Sequence, residues 1–326
     1  MKKMAITTFI KKEDTDKLES ILKIQLKGVF NENDRIAVKL HMGEAGNKYY
    51  LKPEFVNKVI KILGDMNTRP FLFDSPVMYP GSRDTIDKYH DTAMMHGFTE
   101  QNIRCPVIIS DESVKVKGKH LEYEVCKDIA DADGILVISH VKGHMCSGFG
   151  GAIKNLGMGC VSKNTKKSIH VNGQPSCSGE CTLCGTCVEI CPVDAVKIEN
   201  DKVVFDYNFG CWGCGVCAEH CPDNALTYRK ASFDELIADS ANAVLKGKEK
   251  QFYINVVNDI TRWCDCLSDP GEILIPDVGI VLSDDIVDAE RTSLKEINYR
   301  AGRDLFREVH NKNAGKQVEV MEKLRK

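Results

Sequence analysis

Gly134-Ile135-Leu136-Val137-Ile138-Ser139 runs into His140-Val141-Lys142-Gly143-His144. The first stretch reads as a β-strand and the second as the polar, glycine-containing loop that ends it. Upstream, strand-like and helix-like segments alternate. Strands are expected at 5–10, 35–40, 70–74 and 107–110. Between them, 14–29 places Leu18, Ile21, Leu22 and Leu26 on one helical face. Segment 53–63 starts with a proline in its first turn and keeps Phe55, Val56, Val59, Ile60 and Leu63, and 84–96 reads as a third helix. Strands alternating with helices predict an α/β fold, with a mostly parallel sheet covered on both faces. The basic start, Met1-Lys2-Lys3, is followed from Met4 by a short threonine-containing stretch, read as the first strand rather than a signal peptide.

Downstream the pattern is interrupted. Residues 161–167 are polar, 172–176 read as loop, and a cysteine-rich segment extends to about Tyr228. Then a helix is expected at 233–245, strands at 252–257, 273–275 and 278–282, and a largely helical stretch at 284–307. The simplest architecture is one α/β domain made of 1–176 and 230–326, with a small α+β module of bacterial ferredoxin type, 177–229, inserted in it. Three domains in series would leave the last segment too few strands for a sheet of its own.

The inserted segment contains an internal repeat. Cys181-x2-Cys184-x2-Cys187-x3-Cys191-Pro192 recurs as Cys211-x2-Cys214-x2-Cys217-x3-Cys221-Pro222. This is the spacing of two-cluster ferredoxins, in which three thiolates wrap one 4Fe–4S cluster and the fourth, before proline, reaches the other. The expected ligand sets are Cys181, Cys184, Cys187 and Cys221 for one cluster, and Cys211, Cys214, Cys217 and Cys191 for the second. Gly185, Gly213 and Gly215 let backbone amides turn toward the sulfurs. Paired zinc knuckles are the competing reading, but four-ligand zinc sites do not share a C-x3-C-P cysteine between them.

Composition supports a metalloprotein of a reducing cytoplasm. There are fifteen cysteines, an odd number, in a chain of 326 residues with no export signal, and eight of them sit at metal-ligand spacing. Net charge is −3, which does not suggest nucleic acid or an anionic membrane as partner. No apolar run approaches the roughly 18 residues of a membrane span. The expected partners are a redox protein or a small-molecule substrate, and the pattern carries no signal of oligomeric state.

A second constellation follows the strand at 134–139. His140, Lys142 and His144 precede Gly148-Phe149-Gly150-Gly151-Ala152-Ile153-Lys154-Asn155. Ligands of parallel α/β sheets sit beyond the carboxyl ends of strands, and small residues there let amides face a phosphate or carboxylate. His41, His140, Lys142, His144 and Lys154 are therefore candidate catalytic residues. Gly148, Gly150, Gly151 and Asn155 are candidates for holding a cofactor, whether an additional metal or a nucleotide-like group. Lys39 and Glu44 belong to a loop of the same form, and Arg83 is placed to clamp an anion. Cys264-Asp265-Cys266 could ligate a metal or work as a dithiol. Cys105, Cys126, Cys146, Cys160 and Cys177 lie outside any motif and read mostly as small core residues.

Together these stretches resemble a family, domain-of-unknown-function family 362, in the form that carries a 4Fe–4S insertion. The resemblance rests on Val38-Lys39-Leu40-His41, Gly43-Glu44, Gly46-Asn47, Pro53-Glu54-Phe55-Val56, Tyr79-Pro80-Gly81-Ser82-Arg83 and His96-Gly97-Phe98. It continues through 139–144, 148–156, Cys264-Asp265-Cys266, Pro276-Asp277-Val278-Gly279-Ile280 and Ser283. It covers nearly the whole chain and implies no settled reaction. The spacing of His144 and Lys154 around Gly148-Phe149-Gly150-Gly151 is also similar to the nickel-pincer lactate racemase family. That likeness implies a pyridinium cofactor held covalently by Lys154, with His144 near the metal. It covers this loop alone. The expectation is an iron–sulfur electron carrier or oxidoreductase with a site around 143–159. A ferredoxin-type adaptor for a partner oxidoreductase, or a metal- or cofactor-handling protein, is the alternative.

Overall fold

The computed structural model describes residues 5–208 and 210–326, so the chain start, Met1 to Met4, lies outside the described residues. Seven strands form the main sheet: β1 Thr7–Lys11, β2 Arg35–Leu40, β3 Arg69–Asp74, β4 Val107–Ile109, β5 Gly134–His140, β6 Lys250–Val257 and β7 Gly279–Ser283. Their order is β1-β7-β6-β5-β2-β3-β4. The run β6-β5-β2-β3-β4 is parallel. β7 is antiparallel to both β6 and β1. The sheet is therefore mixed and mostly parallel, and the strands that follow the cysteine-rich segment complete a sheet begun before it.

Alternation along each strand divides the core between two faces. In β5, Ile135 and Val137 face one layer, and Leu136 and Ile138 the other. The first layer meets helices Ala152–Gly159, Phe233–Val244, Ile286–Ala301 and Lys316–Leu324. The second meets Leu18–Lys27, Pro53–Asp65 and Ile86–Met95. Burial on both sides explains why the central strands are apolar at nearly every position. Helix starts are set by local chemistry. Ser232 and Glu235 make a reciprocal capping box, and the Asp285 carboxylate accepts from Val287 and Asp288 N–H.

Several expected elements differ. The helix expected over 284–307 ends at Ala301, because Gly302 takes a left-handed conformation (φ 68°) and Asp304 caps a new short helix, Leu305–His310. Residues 273–275 form no ladder strand; Ile273 makes a single bridge to Thr261, and Pro276 beyond it lacks an N–H. Segment 14–29 begins as a 3-10 turn, Lys12–Lys17, before its α-helix. The polar stretch after 161 is a helix, Lys163–Asn172, whose Lys166 is buried with its ammonium donating to Ser75 Oγ (2.7 Å) and the Pro76 carbonyl. Tertiary partners stabilise a helix there that hydrophobic periodicity does not announce.

The cysteine-rich segment contains two short helices, Thr186–Glu189 and Val216–Glu219, and a hairpin, Val196–Glu199 with Lys202–Phe205. Strand Pro175–Cys177 pairs with Leu226–Tyr228 and ties its ends together. Its own small core is Val196, Phe205, Cys217 and Leu226.

Candidate functional site

The sequence repeat recurs in the backbone. Leu183 (φ 58°), Gly185 (82°) and Asp194 (51°) match Gly213 (70°), Gly215 (76°) and Asn224 (51°) at equivalent positions of the two halves. A bulky residue such as Leu183 seldom adopts positive φ, and here the turn aims amides at sulfur. Leu183 N–H lies 3.4 Å from Cys181 Sγ, and Ala195 N–H 3.3 Å from Cys191 Sγ. At Gly213 the requirement is also steric, since a Cβ would stand 2.6 Å from the His170 carbonyl oxygen.

The thiols fall into two neighbourhoods. Cys187 has Cys181, Cys184 and Cys221 around it. Cys217 has Cys214, Cys211 and Cys191 around it, with Cys187 of the other set next. Among the described residues, no three His, Cys, Asp or Glu side chains close on a point as ligands of a single ion would. Each cysteine of a 4Fe–4S set binds a different iron, so such ligands stand farther apart. The first set is half-buried to exposed, with Cys184 at the surface, whereas Cys214 and Cys217 are buried. Burial pushes the Cys211 thiol up to about 11 and that of Cys217 higher still. Thiolates in so dry a place need a cationic partner, such as a bound metal would supply.

The second set is built into the α/β domain. The Trp212 carbonyl, between Cys211 and Cys214, accepts from His170 Nδ1 at 2.8 Å, and the Cys146 thiol approaches it at 4.0 Å. Gln174 Nε2 donates to the Cys211 carbonyl (3.0 Å). Lys312, fully buried, donates to the Cys214 carbonyl (2.8 Å) and pairs with Asp234 (2.8 Å) and Glu219 (2.9 Å). The His170 ring lies 5.1 Å from Phe233, and Phe233 lies 6.2 Å from the His144 ring. Aromatic contacts thus run from the cysteine loop to the glycine-rich segment.

Beyond the carboxyl ends of β2 and β5 is a small, partly open cavity of about 60 Å³. Chain direction reverses here: β3 and β4 continue outward from β2, while β5 and β6 lie on its opposite side. This is a topological switch point, where α/β sheets bind ligands. Lining residues include His41, Ser139, His140, Lys154, Cys264 and Asp265. Asn155 also lines it; its amide donates to the Ile138 carbonyl (3.0 Å) and accepts from Lys39 Nζ (2.5 Å), which also pairs with Asp74 (3.1 Å).

The charges around the cavity are interlocked. His140 directs Nδ1 at Asp265 Oδ2 (2.8 Å) and Nε2 at the Asn258 carbonyl (2.8 Å). Burial works against the Asp265 charge, but His140, Lys142 and Lys154 hold its carboxyl below the usual range. His41 is kept neutral, chiefly by burial and then by Arg83, whose Nη1 is 2.8 Å from His41 Nε2. Burial lowers Lys154 to about 8. Its Nζ lies 3.6 Å from Cys264 Sγ.

Several of the expected site residues are engaged by partners within the fold. Arg83 is buried and committed to Glu44 (2.8 Å), His41 and Tyr79 (3.2 Å), which leaves no face for an anion. Lys142 is buried off the cavity, bonded to the Asp259 carbonyl and 3.8 Å from Asp265. His144 turns to Ser147 Oγ (2.9 Å) and Phe233. Gly148, at φ 73°, makes room for Ala314 rather than for a ligand. The amides of Ala152 (2.7 Å) and Ile153 (3.4 Å), which a phosphate would use, are taken by the buried Glu290 carboxylate. A Cβ at Gly151 would collide with that carboxylate. Cys264 and Cys266 form a disulfide in place of a metal-ligand pair. Cys105, Cys126, Cys146 and Cys160 are buried free thiols, and Cys177 is exposed. A nucleotide-like or pyridinium group does not fit: the cavity has room for a few waters, and the amide cradle is filled. Sequence reasoning missed Glu290 and Lys312, which carry no local motif. It also passed over Asp265, although Asp265 stands between the two cysteines it had singled out.

Residues 36–295 match the family described as Domain of unknown function (DUF362), and the chain belongs to that family. No curated protein matches it. Among solved structures, a Thermotoga maritima protein from a structural genomics programme aligns with TM-score 0.50 at 10% identity, over 88% of this chain and 59% of that one. The lactate racemase apoprotein of Thermoanaerobacterium thermosaccharolyticum aligns with TM-score 0.34 at 14% identity, over 74% of this chain and 49% of that one. The chain thus covers little more than half the length of the first and about half of the second. The first likeness concerns fold alone. No helix among the described residues is long and apolar enough to cross a membrane.

Proposed function

We propose that this chain is an iron–sulfur electron-transfer protein of a reducing cytoplasm. It holds one 4Fe–4S cluster on Cys181, Cys184, Cys187 and Cys221, and a second on Cys211, Cys214, Cys217 and Cys191. It serves a redox site at the cavity beyond β2 and β5. The observation that carries this is the pair of four-thiol neighbourhoods and their unequal burial. The first set meets solvent at Cys184, where a donor can reach it. The second is buried against the domain that contains the cavity. Lys154 is the cavity residue available to a small substrate, with the Asp265 charge beside it, while His41 and Asn155 line the cavity with their polar atoms held by Gly43, Arg83, Lys39 and the Ile138 carbonyl. The 4Fe–4S groups supply one-electron reduction when bound.

The test is metal content of protein purified without oxygen. About 8 iron with matching sulfide per chain is expected. Zinc in place of iron, or iron without sulfide, overturns the reading.

A carrier that docks a partner oxidoreductase is the second reading. It is favoured by a separate groove of about 380 Å³ rimmed by Lys117, Lys119, Lys246 and Arg325. Replacing Lys154 and His41 leaves electron delivery to a partner unchanged under that reading, and abolishes turnover under the first.

A further inference from the structure

Cys264 and Cys266 are the one cystine among the described residues; the remaining thirteen cysteines are free thiols. A bridge across a single intervening residue closes a very short loop, and short loops remove little entropy from the unfolded chain. Stability therefore gives scant reason for it. Its location gives a better one. Cys264 lines the cavity, and its sulfur is the atom nearest to a hydrogen-bond partner for the otherwise buried Lys154 ammonium, at 3.6 Å. The segment that carries it is pinned on both flanks: the Asp265 carbonyl accepts from Glu44 N–H (2.9 Å), and the Leu267 carbonyl accepts from Asn47 (2.8 Å). The path of contacts from the Cys211–Cys217 loop runs through His170 and Phe233 to His144, and His144 and Cys146 lie within electrostatic reach of Lys154.

We propose that the Cys264–Cys266 disulfide is a redox-active pair that collects two electrons from the iron–sulfur module and stores them as a dithiol. The inference rests on the cluster reading above. In the step, the S–S bond breaks and two electrons enter, one supplied by each of the 4Fe–4S groups that the two cysteine sets would hold. One proton is taken up. Cys266 leaves as a thiol and Cys264 as a thiolate paired with the Lys154 ammonium. The site thus converts single electrons into a pair for a small two-electron acceptor admitted to the cavity.

The experiment is an anoxic coulometric titration of the cluster-loaded protein with photoreduced deazaflavin. Iodoacetamide trapping and peptide mass mapping follow each step. Wild type is expected to take up about four electrons, two with bleaching of the clusters and two with alkylation of Cys264 and Cys266. The Cys264→Ser/Cys266→Ser variant is expected to take up about two with the same bleaching. Lys154→Met, which leaves both cysteines in place, is expected to weaken the reduced pair about tenfold, a shift of about 30 mV to lower potential, and Lys154→Arg to restore it. Two electrons in wild type with Cys264 and Cys266 still bridged overturns the proposal. So does equally fast reduction of the pair in cluster-free protein. Absent iron, sulfide and bleaching sink the cluster reading itself, and the proposal falls with it.

Discussion

Lys312 offers the sharpest test of how the cysteine-rich segment is fastened to the domain. Its ammonium is completely buried and reaches Asp234, Glu219 and the Cys214 carbonyl together. Asp234 is equally buried, and even beside Lys312 burial raises its carboxyl above the ordinary value. Lys312→Met keeps the length of the side chain and removes the charge. Asp234 is then an uncompensated buried carboxylate, a situation that costs about 3–5 kcal/mol. Protonation limits the loss. At pH 7, protonating an aspartate of ordinary pKa near 3.9 costs about 4 kcal/mol, at about 1.36 kcal/mol per pH unit. The variant should therefore lose about 4 kcal/mol at pH 7 and about 2 at pH 5.5. The sign follows from linkage. Folded Asp234 in the variant binds a proton that the unfolded chain does not, so stability falls as pH rises. Asp234→Asn in the same background should recover more than half the loss, because Glu219 is closer to solvent. Anoxic urea unfolding followed by circular dichroism at both pH values measures this. A loss below about 1 kcal/mol at pH 7, or the same loss at both values, refutes the reasoning.

Further predictions concern other residues. Burial raises Glu290 to about 7 from 4.5, so its contribution to stability is full below pH 4.5 and lost as pH rises through 7, about 3 kcal/mol in all. Glu290→Gln should flatten that dependence in urea titrations between pH 4.5 and 8. At Gly143 a Cβ would strike the Arg262 carbonyl oxygen and stand 2.7 Å from His310 Nε2, so Gly143→Ala should cost about 1–3 kcal/mol. Gly64, in helix Pro53–Asp65, has nothing within 4 Å of its Cβ position, and Gly64→Ala should gain about 0.5–1 kcal/mol in the same melts. Cys217→Ser should halve the iron content to about 4 per chain, measured with sulfide under anoxic conditions. Retention of about 8 would show that Cys217 is no ligand.

Local pattern alone determined much of this protein. The apolar run at 134–139 could only be buried on both faces, and with the alternating helices it announced a parallel sheet. The repeat spacing of eight cysteines singled out the two four-thiol sets, because C-x2-C-x2-C-x3-C-P is a local geometric statement. The helix at 163–172 was invisible for the opposite reason: what holds it is the contact of Lys166 with Ser75 and Pro76, far away in the chain. The cavity was legible only in part. His41, His140 and Lys154 stood out as polar residues at strand ends, but residue type cannot tell which groups will be consumed by one another. Folding brought Glu44 against Arg83, and Glu290 onto the amides that a phosphate would have used. It also placed Cys264 beside Lys154, although 110 residues separate them. Spacing along the chain fixes what a short loop can wrap around; pairings between distant buried charges are settled only when the sheet is assembled and water is excluded.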